Sequence, residues 1–168
     1  MAKADSTFVY VATYPDEGPA RDDYEVVKGL HASGLVGSYD AAVVTKDARG
    51  KVHEHKDETA TRHGAWWGLA AGAAVGLIFP PSVLAAAAAG GVIGGVSGHL
   101  SKGMSRSRAK QLGDFIDPGQ AGLIVVGEGK VEDAIQQAVT RAEKETAEDL
   151  DVDPRDIDQT LEHAVRDM

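Results

Sequence analysis

Glycine recurs at every fourth position in Gly64, Gly68, Gly72 and Gly76, and the spacing returns after Pro80-Pro81 in Gly90, Gly94 and Gly98. Residues four apart share one face of an α-helix, so each segment carries a stripe without side chains. Glycine inside a helix costs about 1 kcal/mol relative to alanine, so two whole stripes need a packing reason. Close approach of helix backbones supplies one, by the small-xxx-small mode common among membrane helices. The spacing therefore predicts a helical hairpin over residues 60–103 whose seven zipper glycines are self-association contacts. It names no substrate.

Composition narrows the partners. The 168 residues suit one domain with a proper core. The net charge is −9, and residues 128–168 hold 13 acidic and 5 basic residues, a balance of −8. Phosphate neutralisation needs a Lys/Arg surface, so nucleic acid is excluded as a partner. With no cysteine, thiolate catalysis, disulfides and cysteine-based zinc sites are excluded, and a reducing cytoplasm is expected. The polar start, Met1 to Ser6, does not fit a signal peptide.

Along the chain, Thr7 to Tyr14 reads as a strand, and Ala20, Tyr24, Val27, Leu30 and His31 recur at helical spacing. A second strand, Tyr39 to Lys46, turns through Asp47 to Gly50 into a short polar strand, Lys51 to Lys56. Beyond the hairpin, Ala109, Leu112, Phe115 and Ile116 mark a helix, and Asp117-Pro-Gly119 ends it. Ala121 to Val126 reads as a buried strand. Apolar residues from Val131 to Ala142 predict one further amphipathic helix, and Asp153-Pro154 opens a last short one carrying Ile157, Leu161 and Val165. Without the hairpin the order is β-α-β-β-α-β. That is the order of a ferredoxin-like α+β sandwich, with helices on one face of a mainly antiparallel sheet. The expected division is 1–59 and 104–127 as the two halves of that domain, 60–103 as the inserted glycine-zipper hairpin, and 128–168 as extra acidic C-terminal helices.

Several of these segments carry a family resemblance. Tyr14-Pro-Asp16 after the first strand, Asp40-Ala-Ala-Val-Val-Thr-Lys-Asp47, Gly50-Lys-Val52, Trp66-Trp67-Gly68 opening the hairpin and Leu112-Gly-Asp-Phe-Ile-Asp-Pro-Gly119 resemble the domain-of-unknown-function 1269 family. The resemblance covers roughly residues 7–126 and implies the family's usual description, bacterial predicted membrane proteins loosely linked with stress. It brings no activity and no catalytic residues.

The flanks of the hairpin are basic and aromatic. Arg62 and His63 precede it, Lys102, Arg106, Arg108 and Lys110 follow it, and Trp66-Trp67 stand where an interfacial aromatic belt would. Arg62, Trp66, Trp67, Lys102, Arg106 and Arg108 are thus the expected membrane-interface residues. Each arm holds about 15 apolar or small residues, or roughly 22 Å of helix, against a hydrocarbon core of about 30 Å. The alternative is a hairpin buried between subunits of a soluble oligomer.

Other motifs read as ordinary structure. His53 and His55 share a strand face, with His63 near in sequence, but nothing completes a metal site. Gly127-Glu-Gly129 lacks the third glycine of a dinucleotide loop. The pairs Asp16/Glu17, Asp22/Asp23 and Asp57/Glu58 read as solvated charges, and Asp149-Leu-Asp-Val-Asp153 breaks calcium-loop spacing at Pro154. The expectation is a non-enzymatic protein, with no catalytic residues, metal or cofactor, whose hairpin drives homo-oligomerisation at or in the cytoplasmic membrane. Its partners are copies of itself and membrane lipid. A small-molecule-binding regulatory module is a further alternative, by fold analogy alone.

Overall fold

The computed structural model describes residues 6–30, 34, 37, 39–55, 75, 78–79, 102–150, 152–157 and 159–160. Five strands form one sheet: β1 (Thr7–Tyr14), β2 (Tyr39–Lys46), β3 (Val52–His55), β4 (Ala121–Glu128) and β5 (Lys144–Leu150). Their spatial order is β3-β2-β4-β1-β5, and every neighbouring pair is antiparallel. Helix α1 (Glu17–Gly29) joins β1 to β2, α2 (Arg106–Asp114) precedes β4, and α3 (Glu132–Ala138) follows a short 3-10 turn, Gly129–Val131.

The three inner strands, β2, β4 and β1, are apolar at nearly every position because both sheet faces are covered. Side chains alternate across a strand. On one face Phe8, Tyr10, Ala12, Tyr14, Ala41, Val43, Leu123 and Val125 pack under α1 and α3. On the other, Val9, Val11, Ala42, Val44, Ile124 and Val126 pack with Ala109, Leu112 and Ile116 of α2 and with Val75, Ile78, Phe79 and Ile157. Helix α2 was expected beside α1 on a one-sided sandwich; it lies on the opposite face. Its apolar stripe, with Val75, Ile78 and Phe79, supplies the cover that Val9, Val11, Ile124 and Val126 require.

The helical expectation for residues 128–168 is also corrected. Helix α3 stops at Ala138, Val139 turns extended (φ −83°, ψ 108°), and Lys144–Leu150 becomes edge strand β5, paired with β1 from Thr13↔Lys144 to Thr7↔Leu150. Its sequence is mostly polar, as expected of an edge strand protected from stray pairing by charge. Ladder bonds to β1 outweigh its poor strand propensity. Residues 154–157 are helical, as Asp153-Pro154 predicts, with the Asp153 carboxylate accepting from Arg155 N at 2.9 Å and Ile157 buried.

Candidate functional site

Within the segment expected to form the hairpin, residues 75, 78 and 79 are described, and they meet the domain. Phe79 N donates to Val75 O at 2.9 Å, one helical turn, and Val75, Ile78 and Phe79 are buried against the α2 face. Gly113 of α2 makes that docking possible. A Cβ at this position would stand 3.1 Å from the Ile78 backbone oxygen, 3.2 Å from Ile78 Cγ2 and 3.3 Å from Phe79 Cε1. Gly122 of β4 leaves similar room beneath, where a Cβ would fall 2.3 Å from Ile116 Cδ1. Helix α2 is fixed at both ends. The Ser105 hydroxyl caps its start, accepting from Arg108 N at 3.3 Å, and Lys46 Nζ from β2 donates to Ile116 O at 2.9 Å beyond its end.

The outer surface of this anchor is basic. Lys102, Arg106, Arg108 and Lys110 are exposed, while Ala109 and Leu112 turn inward. Arg108 is partly engaged, 3.7 Å from Glu148 of β5. The zipper glycines Gly64, Gly68, Gly72, Gly76, Gly90, Gly94 and Gly98, and the interface residues Arg62, Trp66 and Trp67, lie outside the described residues. Among the described residues, no helix is long and apolar enough to cross a membrane.

The α1/α3 face holds a second constellation, which sequence reasoning missed. Asp23, expected in solvent with Asp22, is fully buried. One of its oxygens accepts from the Tyr14 hydroxyl at 2.9 Å and from Arg141 N at 3.0 Å, and the other accepts from the Arg141 guanidinium at 2.8 Å. The Tyr10 hydroxyl donates to Glu145 of β5 at 2.6 Å. Burial first, and then the neighbouring carboxylates, hold both phenols far above their ordinary range, so they stay protonated as donors. The hydrogen bond to Asp23 likewise raises Arg141. A signal for Asp23 did exist: it lies at i+3 from Ala20 on the stripe that continues through Tyr24 and Val27.

The histidines pair locally. His53 Nε2 lies 3.3 Å from Asp47, and His55 bridges Thr45 Oγ1 at 3.0 Å and Glu17 at 3.7 Å. Asp47 closes its own hairpin turn by accepting from Arg49 N and Lys51 N, each at 2.9 Å, and these bonds keep its carboxyl below the usual range. Among the described residues, no group of three or more His, Asp or Glu side chains is arranged to hold a metal ion. The bolt around Asp23 is filled by its own partners, so its chemistry is that of a structural tie.

A family model described as a protein of unknown function (DUF1269) matches residues 65–161. The match takes in the second part of the chain, β5 included, which the sequence resemblance left out. No curated protein and no solved structure matches the chain.

Proposed function

This chain belongs to the DUF1269 family, and we propose that it is a non-enzymatic self-associating protein whose glycine-zipper hairpin joins copies while its root is held by the α/β domain. The supporting observation is the seating of Val75, Ile78 and Phe79 on the α2 face, with Gly113 admitting the Ile78 backbone. A hairpin fixed at one end presents its glycine faces in a defined direction, which lowers the ordering cost of association.

The domain itself we read as ferredoxin-like, with a different assignment of strands from that expected of the sequence. Strands β2-β4-β1-β5, connected through α1 and α3, supply the order of that sandwich. On this reading β3, the hairpin and α2 together form one long insertion before β4.

Glycine-to-leucine changes test the assembly, because a branched side chain cannot enter a backbone contact. Gly72→Leu and Gly94→Leu should each lower the parent's mass in light scattering. An unchanged mass in both variants contradicts the proposal. Association at the cytoplasmic membrane is the second reading, favoured by the exposed row of Lys102, Arg106 and Lys110. Fractionation without detergent separates the two: a pellet released only by detergent supports the membrane, and a discrete soluble oligomer supports hairpins buried between subunits.

A further inference from the structure

Strand β5 turns an unusual set of side chains toward the α1/α3 face. Glu145, Ala147 and Asp149 pair with Ala12, Tyr10 and Phe8 of β1, so all three alternate onto the same side. Glu145 receives the Tyr10 hydroxyl. Asp149, exposed on β5, lies on the face that α3 covers and is a hydrogen-bonding neighbour that raises the carboxyl of Glu132, the first residue of α3. Glu132 is only 7% exposed. Its Oε1 accepts from Gln136 Nε2 at 3.2 Å, but its Oε2 is buried without a donor. Two carboxylates cannot hydrogen-bond to each other unless one carries a proton, and a buried oxygen left without a donor is costly.

We propose that Glu132 and Asp149 form a one-proton clasp, which holds edge strand β5 under α3 and loosens as that proton is lost on raising the pH. This goes beyond the assembly reading and does not depend on it. The surroundings favour the shared proton. Burial is the largest influence on Glu132, followed by Asp149 and then Asp133 on the same helix, and these push the Glu132 carboxyl up to about 7. Lys130, two residues before Glu132, lies 3.9 Å from Glu128. When the clasp opens, the free edge of β1 beside Phe8 becomes available for pairing.

Hydrogen exchange of the full chain tests this, read on peptides spanning β5 from pH 5.5 to 8 and corrected for intrinsic exchange rates. In the parent protein the opening constant should rise roughly tenfold over that range. Glu132→Gln, which keeps a donor but cannot titrate, should stay flat, and the Glu132 carboxyl should titrate near neutrality by carbon-13 NMR. A midpoint in the ordinary carboxylate range, or an equal rise in Glu132→Gln, overturns the clasp. If Glu132→Gln does not fold, Asp149→Asn carries the comparison through the carbon-13 titration of Glu132: a midpoint lowered from the parent's supports the clasp, and an unchanged midpoint overturns it.

Discussion

The two faces of the sheet are made from the same three inner strands and held by opposite chemistry. Under α1 and α3, buried polar groups fix the geometry: Tyr14 and Arg141 on Asp23, Tyr10 on Glu145, and the Tyr39 hydroxyl on Val27 O at 2.6 Å. Under α2 the cover is aliphatic and aromatic, closed by Val75, Ile78 and Phe79 and by two glycines that allow close approach. Directional bonds select one arrangement, because a misplaced buried donor or acceptor loses its partner. Apolar contact is tolerant of partners. It suits the face on which a distant segment of chain must dock.

The contrast can be broken on either side. The largest loss is expected from Asp23→Ala, which strands the Tyr14 hydroxyl and the Arg141 amide at once: about 4 kcal/mol by urea unfolding. Asp23→Asn, which keeps an acceptor, should recover part of it. On the other face Phe79→Ala removes a buried ring and should cost about 3 kcal/mol. A double-mutant cycle between the two sites should show near-additivity, because they lie on opposite sides of the sheet. Strong coupling would mean that the faces are not independent.

A smaller effect follows from pH. Glu132 holds its proton more tightly folded than unfolded, since its value of about 7 lies above the ordinary 4.5. The stability it lends is therefore full below about pH 4.5 and is lost as pH rises through about 7, with a slope of at most about 1.4 kcal/mol per pH unit. Glu17, lowered chiefly by its hydrogen bond from Arg21, works in the other direction: its contribution is lost as pH falls through the acidic carboxylate range. Urea midpoints from pH 4 to 8 should thus decline on the neutral side in the parent and flatten there in Glu132→Gln. The smallest effect is expected for Arg108→Ala. Its exposed pair with Glu148 spans 3.7 Å, and its loss should cost less than about 1 kcal/mol.

Much of the sheet was legible because its signals are local. Continuous apolar runs such as Phe8 to Ala12 and Leu123 to Val126 mark strands buried on both sides, and Asp47 to Gly50 is a turn that closes on itself, with Gly50 N donating to Asp47 O at 2.9 Å. The rest depends on contacts far apart in sequence. Strand β5 carries Lys144, Glu145, Glu148 and Asp149, and only the free edge of β1 makes it a strand. The position of α2 was lost for a similar reason. Its stripe of Ala109, Leu112 and Ile116 fits either sheet face by periodicity alone, and it packs on the face that Val75, Ile78 and Phe79 share. The Asp23 bolt was hidden because an aspartate beside Asp22 reads as solvated, while its partner Arg141 lies 118 residues away.

The packing of Val75, Ile78 and Phe79 on α2 carries the proposal, and Gly113 gives the most direct test of it. A Cβ there would stand 3.1 Å from Ile78 O and 3.3 Å from Phe79 Cε1, so Gly113→Val should push this segment off the helix. Urea unfolding of Gly113→Val, Phe79→Ala and the double variant reads the contact as a cycle. The two changes should couple by about 1 kcal/mol or more, Gly113→Val costing less once the Phe79 ring is gone. Full additivity would contradict the docking.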